Sequence, residues 1–464
     1  MSVKEPVVAV FDIGKTNKKL LVFNEQYKVV KEEVTCFDEI VDDDGFPCEN
    51  INVLGSWLLD RYDQLKRSSN FQLKAVNFST YGASMVHIDA SGNRVGYLYN
   101  YLKPYPENLK QAFLAARGGE DSFAESTSSP IMGHLNAGLQ LYWLKKTRPE
   151  AFQRITWSLH FPQYLSFLIT GKIFAEMTNV GCHSAMWNFA GMDYHSWVKA
   201  EGIREKLADV ANGDTMVVVG KKESESIVAG IGLHDSSAAA IPYLASFKEP
   251  FIILSTGTWV IGLNPFNKAL PGADELERGC LSYLTYGGDP VKTAMLFAGN
   301  DHDQQVQRIA AYFNVAATFF KTVIPNRQLL QQLLLNNTDA VKQSASIPES
   351  ATAPCIFHRR NLKEFHSVSE AYHQLMADLI NQQKKSLEMI LGGSNIKTIY
   401  VDGGFCRNSL YMQFLANVFP GKKVYAAEMI QGTALGAALV LHKHWNMYPV
   451  PADLVDLKYW KAST

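Results

Sequence analysis

The sequence has few cysteines, no long apolar run and almost no net charge, and each of these absences excludes a class of protein. The six cysteines are scattered and form no CxxC pair, which argues against a disulfide framework or a zinc site. No stretch approaches the roughly 20 uncharged apolar residues that a membrane span requires. The formal net charge of -1 provides no general field for nucleic acid or an anionic membrane. We therefore expect no nucleic-acid partner and no membrane association.

The start of the chain also lacks a signal-like segment, because residues 1–6 (MSVKEP) lead directly into strand-like residues. With reduced thiols, this predicts a cytoplasmic protein. At 464 residues, with 47% hydrophobic and 19% charged residues, the composition is that of an ordinary globular protein. The chain is too long for one core, so two or three domains are expected.

Two short turns rich in glycine and hydroxyl residues follow strand-like apolar runs. The run VVAVF at 7–11 leads into DIGKTN, and FIIL at 251–254 leads into STGTW. Because glycine lets backbone N–H groups approach an anion, the two turns predict a duplicated architecture that holds phosphate from both sides of a cleft. An ordinary hairpin corner is the alternative explanation of each turn.

The first turn carries a carboxylate, Asp12, that would repel a phosphate unless Mg²⁺ lay between them. Lys19, with Lys15 as a further candidate, could supply positive charge to phosphoryl oxygens. In the alternative reading, Asp12 caps its own backbone in a plain turn. A nucleotide P-loop is rejected, because the glycine that it requires five residues before Gly14 is replaced by Ala9 in a strand.

Strand-first organisation in both halves, each with helices afterwards, predicts an α/β protein. The main boundary is placed near residue 245, which gives domains 1–245 and 246–464. Helices are predicted over 51–67, 138–145, 162–170, 236–244, 369–391, 408–418 and 432–444, and further strands over 73–79, 396–401 and 424–426. Gly171 is the natural stop of the helix 162–170.

Two later segments carry candidate chemistry. Asp235 lies at a glycine turn before a small-residue helix (GLHDSSAAA, 232–240), where it is either a helix cap or a general base facing a cleft. The diglycine Gly403–Gly404 follows a strand and precedes a helix. Its bare backbone could lie against a flat adenine ring, with Asn408 within hydrogen-bonding reach, or it could be only a tight connection.

The order and spacing of these segments resemble the FGGY carbohydrate kinase family of the sugar kinase/actin superfamily. Residues 401–413 (VDGGFCRNSLYMQ) are similar to its adenosine motif, 432–438 (GTALGAA) to the helix after it, and 138–145 to its first signature. The contexts of 234–236 and 257–259 most resemble the rhamnulokinase and fuculokinase branch. The resemblance covers nearly the whole chain. It implies two actin-like (ribonuclease H-like) domains flanking a catalytic cleft, with sugar in the first and nucleotide in the second.

The resemblance implies phosphorylation of a sugar hydroxyl by ATP with Mg²⁺, most typically on a ketose such as L-rhamnulose or L-fuculose. Asp235 would be the catalytic base and Asp12 the metal ligand. The implied phosphate contacts are Gly14, Thr16, Asn17, Lys19, Gly257 and Thr258. The implied adenosine contacts are Gly403, Gly404 and Asn408. The candidate sugar contacts are Ser79, Tyr81, Tyr101 and Asp235. Sugar and ATP are the expected partners, and a homodimer is one possible assembly.

The chain departs from the family pattern at Lys15, Gln140, Gln163 and the pair Leu102–Lys103. In the region of Leu102–Lys103, the family usually has an acidic residue and an arginine that help hold the sugar. These departures leave rhamnulose, fuculose, xylulose and polyols open as substrates. A nucleotide- and sugar-binding regulatory protein that lost turnover is an alternative from another class, and the retained carboxylates and Thr258 argue against it. An actin-like filament protein is a third alternative, and such a protein would not need a catalytic base at position 235.

Overall fold

The computed structural model describes residues 4–220, 226–334, 350–427, 429 and 431–462. The chain divides into two compact units, each built on its own mixed sheet. The first unit comprises Met1–Ser246, Ser282–Pro290 and Gln431–Leu454. The second comprises Phe247–Leu281, Val291–Ile430 and Val455–Thr464.

Seven described strands form the first sheet, at whose centre the apolar strand Glu5–Ile13 pairs antiparallel with Lys18–Asn24 and parallel with Phe71–Thr80. In spatial order the strands are Met216–Val219, Ile227–Gly230, Phe71–Thr80, Glu5–Ile13, Lys18–Asn24 and Val29–Thr35, and Leu233–His234 also pairs with Phe71–Thr80. The strand Glu5–Ile13 carries a continuous apolar run over residues 6–11 because both of its faces are covered there.

The second sheet repeats this plan among the described residues. Its strand Phe251–Thr256 pairs antiparallel with Val260–Asn264 and parallel with Thr398–Gly403. The spatial order is Cys280–Leu284, Pro290–Leu296, Val260–Asn264, Phe251–Thr256, Thr398–Gly403, Lys423–Ala427 and Leu457–Trp460. Each sheet thus has a hairpin whose first strand lies beside a later parallel strand, which is the duplication that the two turns predicted.

Helices and shorter ladders complete the two units. The α-helices with both ends described are Ile51–Lys66, Glu107–Ala115, Glu120–Thr127, Ala137–Thr147, Pro149–Arg154, Phe161–Thr170, Met177–Val180, Ser196–Ala200, Asp235–Ser246, Ala273–Glu277, Ala298–Phe313, Val368–Leu391, Ser409–Val418, Gly432–Leu439 and His442–Trp445. Residues 327–334 are also helical. Short 3₁₀ segments are Gly133–Leu135, Arg204–Lys206, Phe319–Thr322, Ile356–Arg359, Leu362–Glu364 and Phe405–Arg407. The short strands are Ile40–Val41, Pro47–Cys48, Met85–Ile88, Arg94–Val95, Trp157–His160, Ala175–Glu176, Trp187–Asn188, Asp193–Tyr194 and Val210–Ala211. Among the described helices, none has the length and apolar character needed to cross a membrane.

The two faces of the first sheet are covered differently. One face, including Phe11 and Phe78 with ring centroids 6.1 Å apart, lies in a large apolar core. The other contacts the helix Gly432–Leu439, and Asn77 donates to Ala437 O at 2.7 Å. This second face carries the polar residues at the carboxyl end of the central strands.

The two compact units divide the chain differently from the predicted domains 1–245 and 246–464. The helix Gly432–Leu439 belongs to the first unit, where it packs on the helix Asp235–Ser246. A Cβ at Gly436 would lie 1.9 Å from Ala238 O, so only glycine permits this approach. Residues 282–290 also belong to the first unit. The predicted helix 432–444 is two helices in the structure, interrupted after Leu439.

Candidate active site

Asp12 lies near the end of the central strand of the first sheet. Its register partners are Lys19 across the hairpin and Ser79 on the parallel strand. The pKa of the Asp12 carboxyl is raised from 3.8 to about 7, chiefly by burial and also by the nearby Asp235, while Lys19 opposes the shift. Two carboxylates remote in sequence are therefore neighbours within one unit.

Asp235 is the first residue of the helix Asp235–Ser246. The strand Leu233–His234 pairs with the end of Phe71–Thr80 and places it near the Asp12 edge of the sheet. Its Oδ1 accepts from Ser236 N at 2.6 Å and lies 3.2 Å from His234 Nε2. Burial raises the pKa of the Asp235 carboxyl to about 6 despite these hydrogen bonds. Asp235 therefore makes a local backbone bond, and its carboxyl is more basic than usual.

The aromatic candidates lie in the same unit. Tyr101 is half-buried, and burial with the nearby Asp235 raises the pKa of its phenol. Tyr81 contacts the Tyr101 ring at a centroid distance of 5.8 Å and donates its hydroxyl to Glu49 at 3.3 Å. Ser79 is buried, and its Oγ has no hydrogen-bond partner among the described residues.

The geometry of the two turns corrects the predicted use of the glycine amides. Gly14 N donates to Asn17 O, and Gly257 N donates to Trp259 O, each at 3.0 Å. Both N–H groups are therefore consumed within their own hairpins and are not free for phosphate. At the tip of the first turn, the side chains of Thr16 and Asn17 are exposed.

The lysines of the first hairpin have separate partners. Lys15 pairs with Glu39 at 2.5 Å on the surface of the first unit. Lys18 forms a buried pair with Glu49 at 3.0 Å and donates to Lys15 O. These bonds fix the base of the turn, and Lys19 remains the cation beside Asp12.

A cavity of about 570 Å³ lies in the second unit. The predicted residues Gly257, Thr258, Gly404 and Asn408 line it. It is large enough for a small-molecule cofactor, since such pockets span about 300 to 1,000 Å³. The sequence therefore indicated one cavity from two segments separated by more than a hundred residues.

Gly403 and Asn408 have structural roles that the sequence did not predict. Gly403 is not among the residues lining the cavity; its φ is +87°, and a Cβ there would lie 2.1 Å from Thr256 O. Asn408 Oδ1 caps the helix Ser409–Val418, and Nδ2 donates to Tyr372 OH at 2.6 Å. Gly403 thus permits a close approach of strands, and Asn408 contributes Oδ1 and one N–H of Nδ2 to local structure. Direct contact of these residues with adenine stays a prediction.

Both halves of the chain match a known family. Residues 7–240 match the N-terminal domain of the FGGY family of carbohydrate kinases, and residues 248–448 match the FGGY carbohydrate kinase C-terminal domain. The chain belongs to the FGGY family of carbohydrate kinases. It is accordingly a phosphotransferase that acts on carbohydrate, and kinases of the FGGY family use ATP.

Relatives of this FGGY kinase align over almost its whole length. It is 23% identical to an L-fuculokinase of Escherichia coli (strain K12), covering 94% of this chain and 92% of that one. It is 24% identical to a rhamnulokinase of Halalkalibacterium halodurans, covering 92% and 91%. Its fold is similar to that of a ligand-bound xylulose kinase from Lactobacillus acidophilus, with a TM-score of 0.78 and 16% identity over 99% and 94% of the two chains. The actin-like α/β fold is confirmed.

Most of the cavity lining in the FGGY kinase was missed by sequence reasoning. The additional residues are Thr256, Gly299, His302, Asp303, Phe320, Lys321, Val323, Phe405, Arg407 and Ser409. Arg407 and Ser409 adjoin the diglycine and could have been included on proximity. The helix Ala298–Phe313 carries no comparable motif, and only the fold brings it near the second turn, where a Cβ at Gly299 would lie 1.9 Å from Gly257 O.

The positions at which this FGGY kinase departs from the family pattern have bonded partners. Gln140 Nε2 donates to Ala83 O at 2.6 Å, and Gln163 Nε2 donates to Gly232 O at 2.9 Å. Buried Lys103 pairs with Asp42 and with Asp44, each at 2.6 Å. These substitutions therefore build local structure.

Proposed function

We propose that this FGGY kinase transfers the terminal phosphoryl group of ATP to a hydroxyl of a ketose. L-rhamnulose and L-fuculose are the first candidates, and xylulose or a polyol is the alternative. The observation that carries the proposal is the proximity of Asp12 and Asp235 at one edge of the first sheet, with raised pKa values for both carboxyls. The similarity to an L-fuculokinase and a rhamnulokinase supports the choice of ketose.

In this proposal Asp235 accepts the proton of the reacting hydroxyl. Its Oδ1 is oriented by Ser236 N and Ser236 Oγ, and we assign proton acceptance to Oδ2. A pKa of about 6 keeps the carboxylate ionised at neutral pH while making it more basic than an exposed aspartate. A base tuned towards the working pH contributes about 10²- to 10⁴-fold to the rate.

Asp12, Lys19 and the tip of the first turn form the proposed phosphate side of the first unit. Mg²⁺ binds through one or two carboxylates together with substrate phosphates and water, and a single strand-end carboxylate fits that pattern. The raised pKa of Asp12 reflects burial and the neighbouring carboxylate, both of which a cation would offset. Bound there, Mg²⁺ would neutralise phosphate charge. Thr16 and Asn17 would contact phosphoryl oxygens through their exposed side chains.

We place the sugar beside Ser79, Tyr81 and Tyr101. The buried Ser79 Oγ lacks a described partner and is next to Asp12 in register, so a substrate hydroxyl would satisfy it. Glu49 fixes the Tyr81 hydroxyl. The Tyr101 ring then offers an aromatic face close to the proposed base.

The proposed nucleotide site is the cavity of the second unit. Its lining joins Gly257 and Thr258 to Gly404 and Asn408. Thr258 supplies a side-chain hydroxyl there, whereas the amide of Gly257 is already used. Arg407 and Lys321, which also line the cavity, provide positive charge suited to phosphate. Phe320 and Phe405 provide apolar surface suited to a base.

The test is ADP release from ATP with Mg²⁺ across a panel of L-rhamnulose, L-fuculose, D-xylulose and glycerol, with product identified by mass spectrometry. We expect sugar-dependent ADP release with one ketose strongly preferred and a single phosphate added to it. ATP binding without stimulation by any sugar would refute the kinase proposal and favour a binding protein.

A cytoplasmic location is part of the proposal, and the assembly state is left to measurement. None of the six cysteines forms a disulfide in the structure, as expected in a reducing compartment. Light scattering of the purified protein would distinguish a monomer from the homodimer considered above.

A further inference from the structure

His183 has an unusual backbone and a defined tautomer. It is 8% exposed and adopts a φ of +35°, in the left-handed region that few residues other than glycine occupy. Its Nδ1 lies 2.7 Å from Leu135 O. Because a carbonyl oxygen only accepts, Nδ1 must carry the proton. Burial lowers the pKa of the ring to about 4, so His183 is neutral and its Nε2 keeps an unshared electron pair.

The ring belongs to a cluster that reaches the proposed base. We define the imidazole cluster as His183, His234 and Tyr283. The Tyr283 ring lies 6.0 Å from that of His183 and 5.4 Å from that of His234. His234 in turn lies 3.2 Å from Asp235 Oδ1. A buried acceptor in a strained conformation is thus held beside the carboxylate that receives the proton, and strain of this kind persists where the surrounding structure enforces it.

The charges around this cluster do not suit an anionic substrate. Asp12 and Asp235 supply two carboxylates, and His183 and His234 are neutral. Three lysines of the same unit are paired with carboxylates: Lys15 with Glu39, Lys18 with Glu49, and Lys103 with Asp42 and Asp44. A sugar acid would therefore bring a third negative charge to two carboxylates beside which the described residues place Lys19.

We propose that His183 is a specificity-determining residue, whose Nε2 accepts a hydrogen bond from a hydroxyl of an uncharged sugar next to the reacting hydroxyl. This inference rests on the proposed kinase function. It goes further by naming a residue that recognises a sugar hydroxyl and by excluding aldonates as substrates. The acceptor is preorganised, since Leu135 fixes the ring and its tautomer before the sugar binds.

The test compares two substitutions that separate the ring nitrogens. His183→Asn retains an amide donor near the Nδ1 position and tolerates a positive φ, but it lacks an acceptor at the Nε2 position. His183→Gln can place its amide oxygen near the Nε2 position. His87→Gln is the matched control, because His87 is also buried and neutral, with its Nδ1 bonded to Ser158 Oγ.

With L-rhamnulose and L-fuculose as probes, we expect His183→Asn to raise the sugar KM about three- to tenfold, as for loss of one hydrogen bond. The KM for ATP should stay unchanged, and His183→Gln should recover part of the loss. Isothermal titration of the same sugars should show the same order. His87→Gln should behave as wild type, and D-gluconate should not be phosphorylated.

Three results would overturn the inference while leaving the kinase intact. These are an unchanged sugar KM in His183→Asn, an equal rise in His87→Gln, or phosphorylation of D-gluconate in preference to both ketoses. If His183→Asn unfolds, the comparison of His183→Gln with His183→Ala decides instead, and equal sugar affinities of these two variants would overturn the acceptor role. Absence of any sugar-stimulated ADP release would instead refute the kinase proposal, and this inference with it.

Discussion

Asp12 and Asp235 are close enough in the first unit for the Asp235 carboxylate to add to the effect of burial, and together they raise the pKa of Asp12 to about 7. One ends a central strand and the other begins a helix. Two like charges brought together in a partly buried place cost stability unless a cation, a proton or a substrate hydroxyl offsets them. Such an arrangement is typical of a functional site.

Asp235→Asn should lower turnover by about 10²-fold or more, because the amide cannot accept the hydroxyl proton. Binding of ATP should change little, since the proposed nucleotide cavity belongs to the other unit. Steady-state kinetics and nucleotide titration would measure the two effects. Asp209→Asn is the control, because its side chain is 96% exposed. A turnover of Asp235→Asn close to that of the control would contradict the base assignment.

Asp12→Asn should stabilise the fold while abolishing activity. The Asp12 pKa is about 7 in the folded protein and 3.8 as the ordinary value. The folded state thus holds more protons between these values, and the contribution of this group to stability falls as pH rises through that window. Asparagine removes this cost. The gain should be at least about 1 kcal/mol near pH 8 and smaller near pH 5.

Urea unfolding of wild type and Asp12→Asn at the two pH values measures this difference. The prediction would be contradicted if the variant were less stable than wild type near pH 8, or if its gain in unfolding free energy were larger at the lower pH. Either result would show that burial of the ionised Asp12 carboxyl does not destabilise the fold.

Gly403→Ala should destabilise the second unit by about 1 to 3 kcal/mol, as overpacking generally does. The added Cβ would lie 2.1 Å from Thr256 O at a residue with φ of +87°. Gly421→Ala is the matched control, because no atom lies within 4 Å of its Cβ position. Thermal unfolding of both variants measures this effect. Equal melting temperatures of the two variants would show that the strands around Gly403 accommodate the added Cβ without a loss of stability.

Asn408→Ala should lower stability by about 1 kcal/mol through loss of the helix cap. Asn408→Asp should keep most of that stability, because a carboxylate oxygen can still accept from Leu410 N and Tyr411 N. Thermal unfolding together with ATP titration separates capping from nucleotide binding. Weaker ATP binding in the alanine variant alone would assign Asn408 a structural task, and weaker binding in both would support an adenosine contact.

Local patterns in the sequence predicted most elements well. The apolar runs before the two turns became the strands Glu5–Ile13 and Phe251–Thr256. The predicted helix 369–391 is observed as Val368–Leu391. Gly171 ends its helix with a φ of +62°, as predicted. These features depend on side-chain periodicity and backbone preference within a few residues, which the sequence displays directly.

The candidate site was predicted less completely, since its bonds join distant segments. The engagement of Asn408 with Tyr372 and the pairing of Lys18 with Glu49 leave no local signature. The same holds for His183, whose tautomer depends on Leu135.

By itself, the sequence determined the α/β class, the repeated hairpins, the family and the two central carboxylates, because each is encoded in short runs of residue type. Only the tertiary structure decided which hydrogen-bonding groups remain free for a substrate. A donor such as Gly14 N is available or consumed according to its partner in space. Long-range packing likewise decided that the helix Gly432–Leu439 belongs to the first unit. The backbone of Gly436 approaches Ala238 O there so closely that a side chain would not fit.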